Sequence, residues 1–334
     1  MMHRVWVIVA ACLLATALHA AESGSGDGNP GKPVAKAAAK STAKAKRPAK
    51  QQARRSTTSM QKGKYTKVRG HPAPAPETVN PEVLDVQSSA ALVVDQLDGS
   101  AVYSKNATAV SSIASITKLM TAMVVLDANL PMDEIIAVTE GDIDHVKNTT
   151  SRIQIGNALT RDEMLRLALM SSENRAASAL ARAYPGGTQA FVRDMNLKAI
   201  VLDMMQSTFV DSTGLSSGNT SSAQDLAKMA LAAYQYPLIR QYSTGNGYTV
   251  PSLSGRMMEF RNTNYLTSSP EWQIGLSKTG YIREAGRCLV MQAMVADKPV
   301  MIVLLDSRGR QSRVGDANRI KRWMEYRAAN AVTG

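Results

Sequence analysis

Two cysteines and four histidines in a chain of 334 residues leave little material for whole classes of chemistry. His3, His19 and Cys12 lie in an N-terminal segment that reads as removable, and His71 stands at the end of a tail, so His145 and Cys288 are what remain. A structural zinc centre uses about four N or S ligands and a catalytic one about three. No metal site and no cofactor are therefore expected, and one leftover thiol cannot build a disulfide framework. Acidic residues are scarce in one region only: residues 22 to 70 hold thirteen Lys or Arg against Glu22 and Asp27, whereas residues 71 to 334 hold 25 basic and 25 acidic side chains. With Arg4, the formal charge of +12 thus belongs entirely to the N-terminal part. Any hydrolytic nucleophile must be activated by something other than a histidine-rich centre.

Long apolar runs are absent but for one. Arg4, the predominantly apolar run of fourteen residues from Val5 to Leu18 and the small residues up to Ala21 read as a secretory signal over residues 1–20, cut after Ala20 or Ala17. Fourteen residues at about 1.5 Å each span roughly 21 Å, short of a ~30 Å hydrocarbon core. Cleavage and export are expected rather than stable membrane insertion, although Val9-Ala10-Ala11-Cys12 faintly resembles a lipoprotein cleavage site. Residues 21–80 are Lys, Ala, Pro, Ser, Thr and Gln, with almost nothing to bury against an ordering cost of roughly 1 to 2 kcal/mol per residue. They read as a disordered basic linker: a solvated spacer, or an arm drawn to anionic envelope components. Export leaves no nucleic acid within reach.

From Pro81 the texture is that of a globular domain, 81–334. Ala90 to Asp95 and Ala101 to Ser104 flank the turn signal Leu97-Asp98-Gly99-Ser100 and read as a hairpin. Ser115 to Ala128 reads as a helix with so little polar surface that it must be central. Thr160-Arg161-Asp162-Glu163 is a capping box opening a helix to Met170. Further helices are predicted at Thr188 to Leu202, Ser222 to Tyr234 and Asp316 to Ala328, and strands at Trp272 to Lys278, Arg287 to Val295 and Val300 to Asp306. Hairpins at both ends of a helical middle predict an α+β fold, an antiparallel β-sheet flanked by helices with a helical subdomain.

The chemistry rests on three short patterns. A serine and a lysine at i and i+3 of one helix share a face, with Cβ atoms about 5 to 6 Å apart. Ser-x-x-Lys occurs at Ser41/Lys44, Ser59/Lys62 and Ser115/Lys118, but the first two lie in the tail, where nothing can desolvate the amine. Ser-x-Asn occurs at Ser172-Glu173-Asn174, at a junction between helices, and at Ser217-Gly218-Asn219, in a loop where it reads as turn chemistry. Lys278-Thr279-Gly280 occurs once, at the predicted end of a strand. Each triplet alone is weak, and a polar cap or turn explains it equally well. All three in this order are a strong signal.

Together they resemble the penicillin-binding protein and serine β-lactamase superfamily. The likeness extends to Ala114-Ser115-Ile116-Thr117-Lys118-Leu119-Met120, Leu169-Met170-Ser171-Ser172-Glu173-Asn174, Phe209-Val210-Asp211-Ser212-Thr213-Gly214-Leu215, Arg261-Asn262-Thr263-Asn264 and Lys278-Thr279-Gly280-Tyr281. It points within the superfamily to the low-molecular-mass D-alanyl-D-alanine peptidases, and among these to the endopeptidases of the Gram-negative periplasm, the penicillin-binding protein seven type. The resemblance implies a DD-peptidase/β-lactamase-like fold, peptidoglycan as substrate and β-lactams as covalent inhibitors. It implies Ser115 as the acylated nucleophile, Lys118 as its base, and Ser172 as a proton carrier to the leaving amine. Asn174, Lys278, Thr279 and Gly280 would bind substrate, and the backbone N–H groups of Ser115 and Tyr281 would form the oxyanion hole. A neutral Lys118 requires a fall from about 10.4 to about 7, roughly 4.6 kcal/mol, from burial and from Lys278 as a second cation. Asp211 and Thr213 are expected to hold a loop, Arg261 and Asn264 to hold loops around the cleft, His145 to lie at the surface and Cys288 to sit in the core.

Between Glu173 and Glu259 there is no glutamate to activate water for rapid deacylation, so a slowly released penicilloyl adduct is expected. The chain ends 54 residues after Gly280, enough for two strands and a helix but not for a second β-domain, which favours endopeptidase over carboxypeptidase. A penicillin-sensing or wall-binding module without turnover is the alternative of another class.

Overall fold

The computed structural model describes residues 83–309 and 311–332. The secretory signal and the basic linker expected over residues 1–80 lie outside the described residues. Along the chain run β1 (Ala90–Asp95), β2 (Ala101–Lys105), β3 (Ser111–Ser112), α1 (Thr117–Asp127), β4 (Ile135–Ala137), β5 (Ala158–Thr160), α2 (Arg161–Met170), α3 (Asn174–Arg182) and α4 (Gly187–Val201). There follow β6 (Thr220–Ser221), α5 (Ala223–Tyr234), α6 (Pro237–Thr244), β7 (Gly247–Pro251), β8 (Met257–Arg261), β9 (Gln273–Ile282), β10 (Gly286–Val295), β11 (Lys298–Ser307) and α7 (Ser312–Val332). The main sheet has the order β2-β1-β11-β10-β9, so the N-terminal hairpin joins the C-terminal strands, with Ala90 opposite Leu305. This is the predicted α+β architecture.

Alternation along the strands sorts the core into two layers. Leu92, Val94, Val303 and Leu305 pack with the helical side, while Ala91, Val93, Ile302 and Leu304 pack beneath α7, against Val314, Ala317 and Ile320. Both faces are thus covered, which is why these strands are apolar at almost every position. Helix α1 is enclosed on all sides: Thr117 through Val125 are all buried. α2 opens on the predicted capping box, Thr160 Oγ1 accepting from the Glu163 N–H at 3.1 Å and the Thr160 N–H donating back to the Glu163 carboxylate at 2.9 Å.

Two boundaries differ from expectation in ways that matter for the site. Ser115 lies in a 3₁₀ turn, Ala114–Ile116, ahead of α1 rather than within its α-helical run. The strand carrying Lys278-Thr279-Gly280 continues to Ile282, because Tyr281 and Ile282 pair with Arg287 and Gly286 of β10. The triplet therefore lies inside β9, at the free edge of the sheet. Helix α6 and the β7–β8 hairpin, around Gly255 at φ +75°, were not predicted.

Candidate active site

The 3₁₀ turn, α1, the α2–α3 junction, the 209–219 loop and the edge of β9 meet at one cleft of about 420 Å³, lined by Ser115, Ser172, Asn174 and Thr279 among others. Burial there is uneven. Ser115 is half-buried, whereas Lys118 and Lys278 are each 1% exposed. The i and i+3 positions bring Lys118 Nζ to 3.0 Å from Ser115 Oγ. The amine also reaches Asn174 Oδ1 at 2.7 Å and the Thr213 carbonyl oxygen at 2.6 Å. Neither of those two oxygens can donate. A neutral amine thus spends both its N–H groups on them and is left with its lone pair facing the hydroxyl proton of Ser115.

Electrostatics favour that neutral form. Burial lowers Lys118 to about 7, with Asp211 and Glu173 pulling back upward. The second cation acts differently from the expectation: burial leads, and the repulsion is felt by Lys278, which burial, Lys118 and Arg313 hold well below its ordinary 10.5. Lys278 Nζ donates to Ser172 Oγ at 2.9 Å and to the Thr279 carbonyl at 2.8 Å. Thr279 Oγ1 lies 2.6 Å from Thr263 Oγ1.

Backbone strain collects at the same place. Ala114, just before Ser115, has φ +48° and Ser172 has φ +61°, both in a region costly for residues with a Cβ. Gly280 also packs against the turn that carries Ser115. A Cβ there would lie 3.0 Å from the Ile113 carbonyl oxygen and 3.1 Å from Ser115 N, so the missing side chain makes room for the Ala114–Ile116 turn. Asp211 folds the 211–216 loop, accepting from Thr213 N, Thr213 Oγ1, Gly214 N and Ser216 N at 2.6 to 2.9 Å. That loop supplies the Lys118 acceptor, a more direct part than loop maintenance. Asn219, from the second Ser-x-Asn triplet, is fully buried and ties this loop to α1 through Asp211 O and Thr117 Oγ1.

Asn264 is buried and donates to Ser277 Oγ at 2.9 Å, beside Lys278. Arg261 instead points outward, 3.0 Å from Glu259. His145 is exposed and Cys288 is buried, its thiol pushed up to about 11 by burial. Several lining residues escaped the sequence reading, Lys147, Thr149 and Arg313 among them. Arg313, in the first turn of α7, donates from Nη1 to the Gly280 and Cys288 carbonyls at 3.1 and 3.2 Å. No local pattern marks it, because only the packing of α7 on the main sheet brings it to the cleft. Lys147 and Glu284 close one end as an ion pair of 2.5 Å between chain segments 137 residues apart. Among the described residues, no helix is long and apolar enough to cross a membrane.

Comparison with known proteins agrees with this geometry. A sequence model of the family described as D-alanyl-D-alanine carboxypeptidase matches residues 76–309. The D-alanyl-D-alanine endopeptidase of Pseudomonas aeruginosa is 45% identical over 264 residues, 78% of this chain and 84% of that protein. That of Escherichia coli is 44% identical over 250 residues, 72% and 78%. The crystal structure of a Streptomyces DD-transpeptidase superposes with a TM-score of 0.67 at 28% identity, covering 72% of this chain and 97% of that one. With its family model matched over most of its length and its cleft built from that family's three triplets, the chain belongs to the D-alanyl-D-alanine carboxypeptidase family of serine peptidases.

Proposed function

We propose that the protein is a D-alanyl-D-alanine endopeptidase of peptidoglycan, exported to the periplasm, with residues 81–334 as its catalytic domain. The observation that carries the mechanism is the trio of contacts at Lys118 Nζ, which leaves its lone pair to Ser115. Ser115 Oγ attacks the D-alanyl carbonyl carbon as its proton passes to Lys118 Nζ. The developing oxyanion is held by the Ser115 and Tyr281 N–H groups, where losing one such donor costs about 3 to 4 kcal/mol. Collapse breaks the C–N bond, and the leaving amine takes its proton from Lys118 by way of Ser172. Water then hydrolyses the ester. Asn174 and Thr279 orient the substrate amide. The always-charged Arg313 joins Lys278 in holding the substrate carboxylate, whose arrival would return a proton to Lys278. The endopeptidase names of the two relatives support crosslinks as the substrate, while the name of the family itself supports terminal D-alanine, the carboxypeptidase reading.

Digestion of purified muropeptides separates the two: loss of crosslinked dimers is expected, and release of D-alanine from monomers alone would reject the endopeptidase. Acylation by a fluorescent penicillin tests the mechanism. Because the neutral amine is the base, the rate should rise tenfold per pH unit up to about 7 and then level. A flat profile from pH 5 to 8, or a label retained in Ser115→Ala, would sink it. Stability should rise with pH between about 7 and 10.5, where the unfolded chain holds a proton on Lys118 that the folded chain lacks. With no glutamate between Glu173 and Glu259, the penicilloyl ester should outlast the acylation step by many turnovers of substrate.

The signal at residues 1–20 and the linker at 21–80 are part of the same proposal. The linker's excess of basic side chains suits contact with anionic envelope polymers. Deletion of residues 21–80 should then abolish any salt-sensitive retention on isolated cell wall, and unchanged retention would make the linker a spacer.

A further inference from the structure

Asn174 offers Lys118 an amide, and an amide has two ends of nearly equal size. Only the oxygen end suits the site. With Oδ1 toward Lys118, the amine donates to it and keeps its lone pair for Ser115. With Nδ2 there instead, the amide would donate into that lone pair and the Ser115 proton would have no acceptor. Nothing in Asn174 itself chooses between the two.

The choice is made one and two residues further out. Asn174 Nδ2 donates to Thr149 Oγ1 at 3.1 Å, and Thr149 Oγ1 donates to Asp144 Oδ2 at 2.7 Å. The Asp144 carboxylate is already an acceptor on every side, taking the N–H groups of Val146 at 2.8 Å, Lys147 at 2.9 Å and Thr149 at 2.8 Å. Burial raises the Asp144 carboxyl, but these bonds outweigh it and hold the group below the usual carboxylate range, so it has no proton to give. The single proton of Thr149 is therefore committed to Asp144, and toward Asn174 its oxygen can only accept. A flipped amide would set two oxygen lone pairs against each other. Thr149 itself is exposed at the lip of the cleft, where water would otherwise compete for its hydroxyl, and the carboxylate behind it fixes that hydroxyl's direction.

We propose that Thr149, backed by Asp144, is a positioning residue that locks the amide of Asn174 with its oxygen on Lys118 and so keeps the amine's lone pair on Ser115. The inference rests on the reading of Ser115 as the nucleophile and Lys118 as its base. Thr149→Val keeps the shape and removes both bonds, and Thr149→Ser keeps both bonds.

In the full chain, the acylation rate constant with a fluorescent penicillin should fall about 10- to 100-fold in Thr149→Val, as expected for a misaimed catalytic group. It should return to within about threefold of wild type in Thr149→Ser. The pH profile separates positioning from mere loosening. The titratable groups facing Lys118, namely Lys278, Asp211 and Glu173, are untouched, and the variant loses an acceptor for the ammonium form. The acid limb should therefore stay at or below its wild-type position near 7. A loosened cleft would admit water, weaken the burial effect and move the limb up toward the ordinary lysine value. Equal rates in wild type and Thr149→Val, failure of Thr149→Ser to rescue, or a limb moved upward would each overturn the proposal. Absence of labelling in the wild type would instead overturn the nucleophile reading, and this inference with it.

Discussion

Lys118→Met should lower the acylation rate by about 10² to 10⁴-fold, the range over which a positioned base accelerates such steps, while leaving the fold largely intact. Methionine matches the volume of the lysine stem, so α1 keeps its packing among Met120, Ala122 and Met123. What it removes is the group with three polar contacts. The lost donor leaves Asn174 Oδ1 and the Thr213 carbonyl unsatisfied, which costs about 1 to 3 kcal/mol. At about 2 to 4 °C per kcal/mol for a domain of this size, the melting temperature should drop by roughly 5 °C. That drop is expected toward pH 10.5; at pH 8 methionine also spares the folded state the cost of deprotonating Lys118, about 3 kcal/mol, so there the difference should largely close. Stopped-flow labelling at pH 8 and a thermal melt check both halves. The wild-type acid limb near 7 should vanish in the variant, because the group that titrates there is gone. Acylation within tenfold of wild type would show that some other group takes the Ser115 proton.

How much of this site could be read from the sequence divides along a physical line. Ser115 and Lys118 were legible because a contact at i and i+3 is local geometry, and the structure returns it at 3.0 Å. The sheet strands were legible because burial on both faces makes β10 and β11 apolar almost throughout. The meeting of Ser172 with Lys278 spans 106 residues, and only the ordered set of triplets hinted at it. Arg313, Thr149 and Asp144 carried no signal at all, since each reaches the cleft through packing between elements far apart in the chain. The end of β9 was misplaced because Tyr281, 57% exposed on an edge strand, does not continue the apolar run. The direction of charge between Lys118 and Lys278 was misjudged because both are buried to the same degree, and Arg313, unseen in the sequence, adds its repulsion to Lys278.

Gly214→Ala should be nearly as damaging as loss of the base, for a reason visible only in three dimensions. Gly214 has φ +81°, and a Cβ on it would stand 2.0 Å from the Ala114 carbonyl oxygen, 2.4 Å from its carbon and 2.8 Å from Ser115 N. These are backbone atoms of the turn that carries Ser115, already strained at Ala114, and no side-chain rotation can relieve the overlap. On its other side the glycine adjoins Thr213, whose carbonyl receives Lys118. The clash therefore drives the hydroxyl and its base apart. Positive φ alone costs an alanine about 1 to 2 kcal/mol, and the displaced peptide brings the total to about 2 to 4 kcal/mol. A shift of 1 Å at the reacting atoms can cost about 100-fold in rate. Gly99→Ala separates the two contributions. Its φ of +74° carries the same backbone penalty, but nothing lies within 4 Å of the new Cβ, and the residue sits in the β1–β2 turn away from the cleft. It should lose about 1 to 2 kcal/mol in urea denaturation and acylate at the wild-type rate, whereas Gly214→Ala should acylate at least about 100-fold more slowly. Similar acylation rates in the two variants would mean that the Ala114–Ser115 turn tolerates displacement, and that the reacting geometry is not set by the closeness of the 211–216 loop.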